Sequence, residues 1–294
     1  MYDIIIIGGG PAGLTSAIYA RRANKKVLVI EKAYIGGQVA TLGNLYNYPA
    51  FTEIDGFTLS QKMHDQAKAL NAEFVMQEVV SCELDAEIKT VKTYKQTYQS
   101  KAVIIATGAY SKPLDVDNEK NYLGRGLSYC ATCDGNFFKD KKVAIVSSGA
   151  NGIDDIVYLA NLASELKVIF TQNAPNFDTS GFKAKVDIFD NSKITKIDGE
   201  PVLSKINIQN KQSGQEQELN VDGLFVNLGK KPYTNCFEGL KLNDGGYIVT
   251  DQNMRTNIKN VYAVGDVRNT PLKQIVTACG DGAVAVSTFI SDKL

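Results

Sequence analysis

The sequence predicts an α/β protein with two parallel-sheet units, and three observations carry that reading. Asp3-Ile4-Ile5-Ile6-Ile7 and Lys142-Val143-Ala144-Ile145-Val146 are short apolar runs without polar alternation, the pattern of strands buried on both faces. Each feeds a glycine-bearing turn, Gly8-Gly9-Gly10-Pro11-Ala12-Gly13 and Ser147-Ser148-Gly149-Ala150-Asn151-Gly152. Each turn then opens a segment of helical periodicity, Leu14 to Ala23 and Asp154 to Leu162.

The bulk numbers agree with two domains and exclude several partner classes. A chain of 294 residues is long enough for about two cores. Lys+Arg and Asp+Glu balance at 32 each, so no bulk field favours nucleic acid or an anionic membrane. The apolar run Ile4 to Ile7 is too short to span a bilayer, and it lacks the flanks of a signal peptide. The 5 cysteines are odd in number and too sparse for a secreted disulfide scaffold, which makes the cytoplasm the expected location.

In the first unit the glycines stand where a dinucleotide fold needs them. Gly8 permits the tight turn, Gly10 lets the backbone approach a pyrophosphate, and Gly13 lets helix and strand pack closely. The helix then presents its positive end to the phosphates. The next strand, Lys26-Val27-Leu28-Val29-Ile30, ends in Glu31, about 20 residues on, where an acid accepts from ribose hydroxyls.

Further elements follow. Gly36-Gly37-Gln38 and Asn47-Tyr48-Pro49 come directly after that acid. A strand and turn from Ala102 ends in Ala106-Thr107-Gly108. Near the C-terminus, Val261 to Val264 runs into Gly265-Asp266-Val267, followed by Lys273-Gln274-Ile275. Thr58 to Leu70 reads as a helix with His64 on a solvated face. Phe74 to Val80, Ile88 to Val91 and Thr93 to Tyr98 read as short strands, and Lys211 to Glu218 as a polar hairpin tip.

The densest chemistry is Cys130-Ala131-Thr132-Cys133-Asp134-Gly135. Two thiols separated by two residues can close a small disulfide, and such a pair often carries a lowered thiol pKa. The carboxyl of Asp134 follows directly, where it could pass a proton. The other readings are half of a zinc site or a chance pair. Zinc would want two more ligands at similar spacing, whereas Cys82, Cys236 and Cys279 stand apart and His64 is the sole histidine. Redox chemistry leads and no metal is expected.

Taken together, these motifs resemble the low-molecular-weight thioredoxin reductase family of flavoproteins over nearly the whole chain. The family's thiol motif reads Cys-Ala-Thr-Cys-Asp, as residues 130–134 do. The resemblance implies two Rossmann-like, three-layer ββα-type dinucleotide-binding domains, the second inserted in the first. Residues 1–112 and 241–294 would form the FAD domain, and 113–240 a pyridine-nucleotide-type domain carrying the thiol pair. Gly8, Gly10, Pro11, Ala12 and Gly13 would cradle the pyrophosphate and Glu31 the adenosine ribose. Gln38 and Asn47 would lie near the flavin side, with Gly37, Thr107 and Gly108 in the same cofactor set. Asp266 would reach the ribityl chain or phosphate, with Gly265 beside it in the cofactor set, and Gln274 and Ile275 the ring. Asn47 could equally be a turn residue before Pro49, and Asp266 a loop acid after a strand.

The resemblance further implies a thioredoxin-disulfide reductase, usually a homodimer. Cys133 would lie nearer the flavin, Cys130 would attack the thioredoxin disulfide, and Asp134 would move the proton. A rotation of the inserted domain about linkers near residues 110–113 and 240–242 is implied as well.

The second fingerprint departs from the family pattern. Ser147 replaces the turn glycine. Leu166-Lys167-Val168-Ile169-Phe170 ends in Thr171-Gln172-Asn173, where the family carries a His-Arg-Arg run that recognises the 2′-phosphate of NADPH. No Arg or Lys occurs from Thr171 to Gly181, and no acid stands at the strand end for NADH. Losing two or three charged contacts of roughly 1.5–3 kcal/mol each would weaken binding by several powers of ten. The expectation is therefore that NAD(P)H is not bound and that ferredoxin supplies the electrons, as in a related branch of the family. A plant-type ferredoxin lies about 130 mV below a thioredoxin, so the transfer runs downhill. Lys139, Lys141 and Lys142, or Arg21, Arg22, Lys25 and Lys26, are candidate docking cations for such an acidic partner, each cluster equally readable as a solvated face. The alternatives are an NADPH-dependent reductase with an altered pocket and a noncatalytic flavin redox sensor.

Overall fold

Strand Tyr2–Ile7 lies within a seven-stranded sheet in the computed structural model, which describes residues 1–292. Its neighbours are Val27–Glu31 on one side and Thr97–Ile105 on the other, both parallel to it. Glu73–Met76 extends the sheet beyond Val27–Glu31. Val261–Ala263 pairs in parallel with Thr97–Ile105, and the antiparallel strands Lys89–Thr93 and Val79–Glu83 complete the far side.

Burial on both faces explains the unbroken isoleucines. Ile4 and Ile6 pack with Val27, Val29, Ile104, Tyr262 and Phe289 on one face. Ile5 and Ile7, one residue out of step, pack with Leu28, Ile30, Val103, Phe237 and Ile248 on the other. Each isoleucine is at most 4% exposed and contributes roughly 1.5–3 kcal/mol of burial free energy. On the first face, helices Pro11–Arg22 and Ile275–Ser291 cross closely. A Cβ on Gly282 would stand 2.5 Å from the Ala12 carbonyl oxygen, so the contact requires glycine there.

The second unit has a five-stranded parallel sheet in the order Leu127–Ser128, Gly223–Asn227, Lys142–Ser147, Glu165–Phe170 and Lys185–Phe189. Helix Ile153–Ala160 covers one face, packing Ile156 and Leu159 with Val143, Ile145, Val168 and Phe225. The other face packs Ala144, Val146, Ile169 and Leu224 with Ile194, Ile197, Ile206 and Ile208. Those four belong to an antiparallel sheet of Ser192–Asp198, Lys205–Asn210 and Glu216–Asn220. This is the sheet, sheet and helix layering expected of a ββα unit, and the α/β fold with two Rossmann-like units is as the sequence predicts. Among the described residues, no helix is long and apolar enough to cross a membrane.

The chain divides into residues 1–110 with 231–294, and 111–230, of which 293–294 lie outside the described residues. Residues 231–240 therefore fall in the first unit, whereas the sequence placed them in the inserted segment. The reason is packing: Phe237 is 6% exposed in the core with Ile5 and Ile105, Cys236 and Leu240 pack against it, and the Tyr233 N–H donates to Gly108 O at 3.1 Å. Two smaller differences are local. The helix read as Thr58 to Leu70 runs from Gly56 to Ala69, because Asp55 caps it by accepting the Thr58 N–H at 2.9 Å. His64 is half-buried rather than solvated, edge-on to Phe74 at 4.6 Å between ring centres, and burial lowers its pKa.

Candidate active site

In the glycine turn of the first unit, two positions are closed to any side chain by backbone contacts and a third is open. Gly8 has φ +110°, and a Cβ there would lie 2.3 Å from Ala106 O. A Cβ on Gly13 would lie 2.0 Å from Gly8 O. Gly10 differs: its nearest atom would be Gly36 O at 4.0 Å, so its missing side chain leaves open space. Gly10 is also the N-cap of helix Pro11–Arg22, with no side chain capping it, which leaves the positive helix end to a ligand. Glu31 closes the turn, accepting the Gly9 N–H on Oε2 at 2.7 Å and the Ala33 N–H on Oε1 at 2.9 Å. Each carboxylate oxygen keeps a second lone pair for a hydroxyl donor.

Around this turn the fold gathers the residues singled out by the sequence. The Gly36 N–H donates to Gly9 O at 2.8 Å, and Gly37 sits against Gly10. Gln38 donates to Ala109 O, one residue past Gly108, which has φ +69°. The Thr107 hydroxyl donates to Tyr233 O at 2.7 Å. Asn47 Nδ2 donates to Gln274 Oε1 at 3.1 Å, joining two predicted residues from opposite ends of the chain. Gln274 is also the N-cap of helix Ile275–Ser291, in a capping box with Thr277. Gly265, at φ +70°, approaches the Ala12 side chain, where an added Cβ would stand at 3.0 Å. Asp266 follows it, and its charge adds to burial in pushing the Tyr247 phenol up. A side-chain-free cradle at Gly10, a helix N-terminus and an acid at a strand end together fit the pyrophosphate and ribose of a dinucleotide.

One residue of this region escaped the sequence reading. Asp281 is 8% exposed; it accepts the Gly265 N–H at 3.0 Å and holds Arg268 through two bonds, Nε–Oδ2 at 2.7 Å and Nη2–Oδ1 at 2.9 Å. That pair fixes the turn presenting Asp266. An acid between Gly280 and Gly282 in an otherwise uncharged helix was the available signal.

In the second unit Cys130 and Cys133 form a disulfide with a Cα–Cα distance of 5.3 Å. Cys130 is the N-cap of the single turn Ala131–Asp134, and both sulfur-bearing residues are half-buried. The turn is seated by Ala131, 3% exposed, and by Gly135, where a Cβ would meet the Tyr158 ring at 2.8 Å. The Thr132 hydroxyl lies 3.5 Å from Cys130 Sγ. Asp134 accepts a bond from Ser128 Oγ at 2.6 Å, a partner the sequence did not single out. Burial pushes the thiols of Cys82, Cys236 and Cys279 up, which makes them poor nucleophiles.

The second glycine turn is stabilised from within. Ser147 Oγ donates to Gly149 O at 3.0 Å, and the left-handed backbone falls on Gly149, φ +145°. A Cβ on Gly152 would stand 2.2 Å from Ser147 Oγ. The adjoining strand end meets a charged side chain from another segment. Lys211, from the hairpin tip, donates to Thr171 O at 2.8 Å. A cation therefore stands at the strand end, delivered from a different segment.

A glycine cradle in one unit and a disulfide on a turn in the other define a disulfide oxidoreductase of the two-dinucleotide-fold class. The family model for pyridine nucleotide-disulphide oxidoreductases matches residues 2–282. A thioredoxin reductase of Peptoclostridium acidaminophilum is 38% identical, covering 98% of this chain and 95% of that protein. Among solved structures, the thioredoxin reductase of Streptococcus pyogenes is 36% identical, with a TM-score of 0.91 over 99% of both chains. The ferredoxin-flavin thioredoxin reductase of Clostridium acetobutylicum is 32% identical, with a TM-score of 0.55 over 99% of this chain and 98% of that one. The chain belongs to the pyridine nucleotide-disulphide oxidoreductase family and, within it, to the low-molecular-weight thioredoxin reductases.

Proposed function

We propose that this chain is a flavin-dependent thioredoxin reductase, with FAD held by the first unit and the Cys130–Cys133 pair reducing the thioredoxin disulfide. The observation that carries the proposal is the half-buried Cys130–Cys133 disulfide on the turn that ends in Asp134. Gly8, Gly10, Pro11, Ala12 and Gly13 would hold the pyrophosphate, Glu31 the ribose, and Gln38, Asn47, Asp266 and Gln274 the flavin half. Bound FAD supplies the electron pair that opens the disulfide.

Exchange with thioredoxin then needs only this chain's side chains. The Cys130 thiol passes its proton to the Asp134 carboxylate, and the thiolate attacks the thioredoxin disulfide. That bond breaks, a mixed disulfide forms, and the departing thiolate takes the proton from Asp134. Cys133 next attacks the Cys130 sulfur, re-forming the Cys130–Cys133 disulfide, and its proton goes to the second thioredoxin thiolate. Two thiols are oxidised and one disulfide is reduced, so electrons and protons balance. The same chemistry calls for a reducing compartment, which supports a cytoplasmic location, and a homodimer is the assembly we infer from the family.

For the electron donor, the comparisons favour NADPH over the ferredoxin expected from the sequence. The matched family is described by its pyridine nucleotide, and the relative and the Streptococcus structure are thioredoxin reductases without a ferredoxin designation. Lys211 at the end of strand Glu165–Phe170 supports the same reading. Ferredoxin is the second reading, favoured by Ser147 in the glycine position and by the absence of Arg and Lys from 171 to 181. Anaerobic flavin absorbance separates them. Bleaching by NADPH supports the first reading, bleaching by reduced ferredoxin alone supports the second, and a protein purified without flavin would refute both.

A further inference from the structure

We propose that Ser128 is a positioning residue for disulfide exchange, tying the Asp134 carboxylate and the Cys130 backbone into one hydrogen-bonded unit. The inference rests on the reading of Cys130 and Cys133 as the exchanging pair. Ser128 is 6% exposed and ends strand Leu127–Ser128, which pairs in parallel with Gly223–Asn227 through Ser128 and Phe225. Its hydroxyl therefore starts from a sheet rather than from the thiol loop, and a group on a strand is held more tightly than one on a loop.

A hydroxyl has one proton to give and two lone pairs to receive with. Ser128 Oγ stands 2.6 Å from Asp134 Oδ2 and 3.3 Å from Cys130 O, so its proton goes to the carboxylate. The 2.6 Å separation is that of a charge-assisted bond. The same oxygen accepts the Cys130 N–H at 3.0 Å. A second tie closes the loop, since the Asp134 N–H donates to Cys130 O at 3.2 Å. When the disulfide opens, the sulfurs are freed, but the backbone of the attacking residue and the carboxylate that serves it stay on one anchor. The proton acceptor is thus already placed when Cys130 attacks, and no rotamer search precedes the step.

Position 128 asks for a hydroxyl, so the test uses isosteres. Ser128→Thr keeps the hydroxyl, and Ser128→Val has the same shape without it, so packing costs cancel between them. With saturating donor, Ser128→Ala and Ser128→Val are expected to lower kcat for thioredoxin about tenfold with KM unchanged, and Ser128→Thr to restore it. In an Asp134→Asn background, Ser128→Ala is expected to cost nothing further, because the residue acts through that carboxylate. Equal kcat for the Thr and Val variants, or an additive loss in the double variant, would overturn the assignment. Cys130→Ser separates the two levels. If it leaves thioredoxin reduction intact, the exchange reading itself fails; if it abolishes reduction while Ser128→Ala is unaffected, only the role of Ser128 fails.

Discussion

Lys211 places its ammonium group 2.8 Å from the carbonyl oxygen of Thr171, at the end of a strand forty residues earlier in the chain. A cation at that strand end can meet the 2′-phosphate that distinguishes NADPH from NADH. Lys211→Gln is expected to raise KM for NADPH roughly tenfold, equivalent to about 1.4 kcal/mol, with KM for thioredoxin unchanged. An unchanged preference for NADPH over NADH would remove Lys211 from the site.

Gly10 and Gly13 separate cofactor binding from folding. Gly10 has φ −76°, and an alanine methyl there would enter open space, so Gly10→Ala is expected to fold normally but purify depleted in flavin. Gly13→Ala would place a methyl 2.0 Å from Gly8 O and force the helix from the strand, at a cost of about 1–3 kcal/mol. Flavin absorbance and thermal melting of the two variants distinguish the effects. A Gly10→Ala protein with full flavin content would argue against a phosphate at that position.

The glycine turns, their flanking strands and the thiol pair were legible in the sequence because their signals are local. Four consecutive isoleucines demand burial on both faces, and the strand, turn and helix around Gly8–Gly13 follow without reference to the rest of the chain. Pairings across long separations were not legible. Asn47 meets Gln274 only because the fold returns the C-terminal helix to the first one. The donor expectation failed to anticipate Lys211 for the same reason. Residues 171–181 carry no Arg or Lys, whereas the strand end receives its cation from a hairpin that periodicity shows only as a polar tip. Ser128 was overlooked because one buried serine two residues before a cysteine carries no distinguishing pattern.

Asp281 and Arg268 are both largely buried, at 11% and 14% side-chain exposure. Removing one charge strands the other, which typically costs about 3–5 kcal/mol. Asp281→Asn is expected to lower the melting temperature and weaken flavin retention, since the same carboxylate holds the Gly265 N–H. A variant with unchanged stability would show that the pair is solvated in solution.

The C-terminal end of helix Ile275–Ser291 gives a pH-dependent contribution. Arg255 bonds Asp292 at 2.6 Å and lowers its pKa, with the Tyr262 hydroxyl adding a bond at 3.2 Å. A carboxyl lowered in the folded state contributes stability above its unfolded value of about 3.9, and that contribution is lost as pH falls through the folded value. Asp292→Asn is therefore expected to melt below wild type at pH 7, with the gap closing below about pH 4. A gap of constant size across that range would assign the effect to packing rather than charge.

The most direct measurement is anaerobic turnover of oxidised thioredoxin, with NADPH or reduced ferredoxin as donor, by wild type and by Cys130→Ser and Cys133→Ser. Stoichiometric appearance of thioredoxin thiols with NADPH, abolished in both cysteine variants, is the predicted result. A flavin that is reduced by either donor while the thioredoxin disulfide stays closed would contradict the account.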